Sequence, residues 1–192
     1  MKVSRAESEA NRRRIVDRAA ALFRERGFDG VGVAELMKAA GLTHGGFYGH
    51  FASKDELIAE ACLRAIEQTG DRWQTLLGAN EAMPLDAMAR QYLSRRHRDN
   101  PGDGCVLASL GAEASRASPA VRGAFTRSVR RFIGLLESAV PRRTEARRRQ
   151  QGVAACASLV GAVVLARAVD DASLSDEILA AVRAELAHGD AP

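Results

Sequence analysis

Apolar residues recur at intervals of three and four along nearly the whole 192-residue chain, and no stretch alternates apolar with polar residues as a half-buried strand must. Ala, Leu, Arg and Glu, all good helix formers, fill most other positions. The fold class is therefore all-α. With 46% hydrophobic residues the chain is too apolar to be disordered, and it is long enough for one core or for a small domain joined to a larger one.

Breakers divide it into about nine helices. The first, about 9–26, places Ile15, Ala19, Leu22 and Phe23 on one face and Arg12, Arg13, Asp17 and Arg24 on the others, and Gly27 stops it. A short helix over 33–40 ends at Gly41, and a very short one that Thr43 can cap runs to about His50. Ser53-Lys54-Asp55-Glu56 is a capping box that starts a long helix to about Leu77. Turn signals near Gly78, Pro101, Pro119, Pro141 and Asp170 then predict helices at 84–98, 105–115, 119–139, 144–169 and 174–188. Residues 1–53 form a three-helix head and residues 54–192 a six-helix body.

Charge follows the same division. Residues 1 to 54 hold 10 Lys or Arg and 6 Asp or Glu, so they carry the whole net charge of +4, and the rest is balanced. A polyanion would meet its positive field at the head. Cys62, Cys105 and Cys156 are scattered, with no disulfide framework and no zinc spacing, which fits a reducing cytoplasmic setting. No secretory leader is evident. The longest apolar segment, Val153 to Val169, is broken by Ser158, Gly161 and Arg167 and falls short of a membrane span, so no membrane partner is expected.

The sharpest signal is VAELMKAAGLTHGGFYGHFASK, residues 33 to 54. It reads as a support helix, a tight turn at Gly41, and a recognition helix whose first turn offers free amides to a phosphate or groove wall. Gly45 and Gly46 each weaken a helix by about 1 kcal/mol relative to Ala, which points to a close approach at that backbone. Tyr48, His50 and Lys54 supply phosphate-binding groups, and Thr43 can reach a phosphate as well. Phe47 and Phe51, four apart, hold the recognition helix on a core with Leu36 and Phe23.

The same residues resemble the TetR-type (TetR/AcrR) transcriptional regulators. The resemblance covers residues 11 to 58, through Phe23-Arg24-Glu25-Arg26-Gly27-Phe28, Val33-Ala34-Glu35-Leu36, Ala40-Gly41-Leu42-Thr43, Phe47-Tyr48-Gly49-His50-Phe51 and Ser53-Lys54-Asp55-Glu56-Leu57. It implies an N-terminal helix-turn-helix DNA-binding domain, a C-terminal ligand-binding and dimerisation domain, and a homodimer that represses transcription from a double-stranded operator until a small-molecule effector binds. By position, Thr43, Tyr48, His50 and Lys54 match residues that hold phosphates, and His44, Gly45 and Gly46 fall where base edges are contacted. Gly46 and Gly49 stand where side chains are common, which leaves His44 as the main group for direct readout.

In the body, VAACASLVGAVVLARAV is rich in small residues that permit close helix approach. With Leu174, Ile178, Leu179, Val182 and Leu186 of the last helix it reads either as a four-helix dimer interface, as the resemblance implies, or as ordinary core. Trp73, Leu77, Tyr92, Cys105, Leu107, Phe125, Val129 and Phe132 read either as core or as the wall of an effector cavity. Cys105 follows Asp103-Gly104 at a helix N-terminus, where amides lower a thiol's pKa, so a reactive electrophile is among the candidate effectors. The basic runs Arg95 to Arg98 and Arg147 to Arg149 read as solvated faces. No nucleophile has a placed base and the four histidines form no metal motif, so neither an enzyme nor a cofactor is expected. An architectural DNA-binding protein without an effector is the other reading.

Overall fold

The computed structural model describes residues 4–77, 85–140 and 144–188, excepting the side chains of 73–77 and 188. Among the described residues there is no strand. Nine α-helices follow in chain order: α1 Arg5–Arg26, α2 Val33–Ala39, α3 Lys54–Leu77, α4 Leu85–Tyr92, α5 Arg95–Asp99, α6 Val106–Ala114, α7 Pro119–Ser138, α8 Glu145–Ala168 and α9 Ala172–His188. Two short 3-10 turns, His44–Gly49 and Pro101–Asp103, complete the set.

Helix starts follow local chemistry. Ser4 accepts a hydrogen bond from the Glu7 amide at 3.2 Å, extending α1 beyond its first apolar residue. At α3 the capping box is reciprocal: Ser53 accepts from the Glu56 amide at 3.1 Å, and the Glu56 carboxylate accepts from the Ala52 amide at 2.7 Å. The helix expected over 84–98 is instead two, because Leu93 and Ser94 leave helical geometry and the Ser94 hydroxyl caps α5 through the His97 amide. Backbone competition by a serine side chain accounts for this break.

Helix α3 packs on α1 and α7, α7 on α8, and α8 on α9, so one core runs from Ile15, Phe23, Leu36, Phe47 and Phe51 in the head to Phe132, Leu136, Leu159 and Val163 in the body. Helix α8 is long and apolar enough to cross a membrane by length and composition, contrary to the expectation from its interrupting residues. One of its faces, Ala155, Leu159, Ala162, Val163 and Ala166, is buried in the protein's own core. Its opposite face leaves Val153, Val164 and Leu165 exposed, and a side chain added at Gly161 would meet open space. On α9, Leu174 is exposed while Leu179 is buried within the same chain, so Leu179 belongs to the core and not to an outward apolar face.

Candidate functional site

The recognition segment is a 3-10 turn rather than an α-helix. Three of its six residues are glycine, whose conformational freedom tolerates the tighter 3-10 geometry in place of a regular α-turn. Thr43 stands at its N-cap position with extended backbone, but its side chain makes no capping hydrogen bond, so that hydroxyl stays available at the surface. Phe47 and Phe51 are almost fully buried with ring centroids 5.6 Å apart, and they seat the turn on α1 and α2 as their four-residue spacing predicted.

Most of the remaining turn faces outward, except that a side chain added at Gly46 would meet Met37 at 3.5 Å. Thr43, His44, Gly45 and Gly49 are exposed, and Gly46, His50 and Lys54 are half-buried. Tyr48 is 72% exposed, its ring lying edge-on against Phe47 at 5.2 Å. The ring is therefore open to solvent rather than packed into the core. Side chains added at Gly45 or Gly49 would meet nothing in the protein, so the missing atoms leave room for an incoming surface.

Arg12 fixes this face relative to the body. Its guanidinium lies 4.5 Å from the Phe51 ring centroid, donates to the His50 carbonyl at 3.2 Å, and pairs with Glu56 and Glu60 of α3. These carboxylates raise its pKa above the ordinary arginine value. One side chain therefore ties α1, the end of the recognition turn and α3 together.

Two further links join head to body, and neither is visible in local sequence. Arg24, placed by periodicity on a polar face, is buried; its Nε donates to the Gly102 carbonyl at 2.8 Å and its Nη2 reaches the same oxygen. Burial, with Arg72 nearby, lowers its pKa from the usual arginine value. Glu113 of α6 accepts from the Phe28 amide at 2.6 Å. Its carboxylate also fills the space beside Gly27, whose φ of 79° and 2.6 Å clearance to a would-be Cβ exclude a larger residue.

Behind these links lies a cavity of about 320 Å³, walled by α3, α4, α5 and the segment from Asn100 to Cys105. Of the expected cavity residues it brings together Tyr92 and Cys105. Around them stand Thr69, Arg72, Gln91, Ser94, Arg96 and His97, none of which the sequence reading singled out for a pocket. Leu107 and Phe132 are buried in the core, Phe125 and Val129 pack partly buried against it, and the Trp73 and Leu77 side chains lie outside the described residues.

Cys105 does sit at the N-cap of α6, where the amides of Leu107 and Ala108 approach the sulfur. Burial nevertheless outweighs them and pushes the thiol's pKa up, against the lowering expected from a helix start. Cys62 and Cys156 are likewise pushed up by burial, to about 12 and about 11.

His97 organises the wall. The Cys105 amide donates to its Nε2 at 2.9 Å, so the ring proton sits on Nδ1 and is donated to the Tyr92 carbonyl at 2.6 Å. Burial lowers its pKa to about 4, keeping the ring neutral. Since the unfolded histidine binds its proton near pH 6.5, folding stability is full above that value and falls as pH drops toward 4. His97→Gln is expected to flatten this part of the stability–pH curve by about 1–3 kcal/mol, read as the change in urea midpoint between pH 7 and pH 4.5. A variant with the parental slope contradicts the assignment.

The geometry defines an all-helical protein with an N-terminal helix-turn-helix head seated on a larger helical body. Residues 15–61 match the family described as bacterial regulatory proteins, tetR family. It is similar to the HTH-type transcriptional repressor NemR of Escherichia coli, 31% identical over 119 residues, which are 60% of this chain and 60% of that protein. The crystal structure of the reduced form of E. coli NemR superposes with a TM-score of 0.75 at 27% identity, covering 92% of this chain and 95% of that one. A tetR-family regulator from Cytophaga hutchinsonii shares the fold, with a TM-score of 0.75 at 21% identity, covering 97% of each chain.

Proposed function

We propose that this chain is a DNA-binding transcriptional repressor, not an enzyme, that works in the cytoplasm as a homodimer and is released from its operator by a small-molecule effector. Residues 1–53 serve as the DNA-binding domain and residues 54–192 bind the effector and dimerise. The observation that carries this reading is the outward face of Thr43, His44, Gly45 and Tyr48, beside Lys54 at the start of α3, on a turn whose two phenylalanines are buried. Such a face suits the major groove, with Thr43, Tyr48, His50 and Lys54 on phosphates and His44, Gly45 and Gly46 toward base edges.

Dimerisation is supported by the exposed apolar face of α8 and Leu174 of α9. Two heads then meet successive grooves about 34–36 Å apart. An effector must bind the DNA-incompetent arrangement better than the competent one, since equal affinity shifts nothing. A cavity in contact with the segment that holds Arg24 favours this over an architectural DNA binder without an effector.

The test is fluorescence anisotropy with DNA from upstream of the chain's own gene, against random duplex. Tyr48→Ala and Lys54→Ala are expected to weaken both affinities, and Lys54→Ala to reduce the salt slope by about one unit. Unchanged operator affinity in both variants contradicts the reading.

A further inference from the structure

The cavity wall carries one positive charge in excess. Arg72 and Arg96 line the cavity against one lining carboxylate, Asp103, which lies 3.4 Å from Arg72. No carboxylate among the described residues pairs with Arg96. Behind the wall, Arg24 spends its bonds on the Gly102 carbonyl and keeps a buried Nη1 without an acceptor. Arg167 of α8 donates to the carbonyls of His97 and Arg98 at 2.7 and 2.9 Å and to Ser109 at 3.1 Å, again with no carboxylate among the described residues. Arg24 and Arg167, drawn from water without counter-charges, lie behind the lining, and through the low-dielectric interior their charge adds to that of Arg72 and Arg96 in favouring an anion in the cavity. Gln91, the Ser94 hydroxyl, which only accepts from the His97 amide, and the second amide hydrogen of Asn100 are neutral donors that suit the oxygens of such a group. The Tyr92 ring, stacked on Phe132 at 5.5 Å, offers an apolar side.

We propose that this cavity takes a small organic carboxylate, with Arg96 as its exposed charge partner and the segment from Asn100 to Cys105 as the element its binding moves. The proposal rests on the repressor reading, and it names the chemistry of the effector. The segment is where several helices meet. Its Gly102 carbonyl seats Arg24 of α1, its Cys105 amide is held by His97, and Arg167 braces α5 from α8. Arg98 and Arg95 further tie α5 to Asp176 of α9. A carboxylate that draws Arg72 from Asp103 alters the seat of the head without touching it. The volume, about 320 Å³, lies at the small end of ligand cavities.

The experiment is calorimetric titration of the full chain with benzoate, 1-naphthoate and hexanoate, each against its own carboxamide. At least one carboxylate is expected to bind at least about tenfold more tightly than its amide, about 1.4 kcal/mol, and Arg96→Ala to remove that preference. Arg130→Ala, an exposed arginine of α7 outside the cavity, serves as control and is expected to leave binding unchanged. The binding carboxylate, but not its amide, is expected to weaken the operator complex in anisotropy. Carboxylates that fail to bind, amides that bind equally well, or a preference that survives Arg96→Ala each overturn the proposal. Operator binding by the unliganded protein is measured alongside: its presence without carboxylate binding sinks the anion site alone, and its absence sinks the repressor reading.

Discussion

Phe47→Ala is expected to cost about 3–5 kcal/mol of stability, because the ring is almost completely buried and its loss leaves a cavity between α1, α2 and the recognition turn. The consequence for function exceeds the energy. The turn is a six-residue 3-10 segment with three glycines, and 3-10 hydrogen bonding is too weak to hold it. Its orientation therefore depends on Phe47 and Phe51 as anchors, with Arg12 closing its far end. Removing one anchor frees Tyr48, whose ring rests edge-on against Phe47, and scatters the groups proposed to meet phosphates. Urea denaturation with operator anisotropy on the same samples checks this. Phe47→Leu, which retains much of the volume, is expected to lose less than about 1.5 kcal/mol and to remain folded, so its operator affinity separates anchoring from unfolding. An alanine variant within about 1 kcal/mol of the parent contradicts the anchoring role.

Why the recognition turn was legible and the cavity was not is a matter of interaction range. Phe47 with Phe51, and Ser53 with Glu56, act over three or four residues, so periodicity and capping rules place them directly. The 3-10 geometry escaped because glycine content argues against an α-helix without saying what replaces it. Arg24 shows the opposite limit: on a helical wheel it is one more polar residue, and only Gly102, 78 residues away, gives its burial a reason. Glu113 and Phe28, 85 residues apart, are the same case. For the cavity, aromatic residues were the natural candidates, yet Phe132 packs inward while Arg72, Arg96 and Gln91 line the space. Helix-surface arginines look alike in sequence whether they face solvent or a cavity. At Cys105 the helix-start rule correctly gave the amides and missed the burial that overrides them.

Val164→Glu with Leu165→Glu is expected to convert the proposed dimer to monomers and reduce operator affinity by about 10²–10⁴, because two linked heads bind far more tightly than either alone. Both side chains are exposed, at 43% and 56%, on the face of α8 opposite the one that packs into the core. Charges placed there remain solvated in the single chain, so the fold survives, whereas in an apolar interface each faces a desolvation penalty without a partner. The open space at Gly161, at the centre of this face, is what close helix-to-helix approach requires. Leu179→Glu is the wrong test of the same idea: Leu179 is buried in its own chain, and its replacement unfolds the body before it informs on association. Sedimentation velocity reads the assembly state, circular dichroism confirms the helices, and anisotropy reports affinity. A double variant that sediments as a dimer with parental operator affinity moves the interface away from α8. One that becomes monomeric yet keeps full affinity instead separates dimerisation from DNA binding, and removes the spacing of two heads as the quantity an effector would act upon.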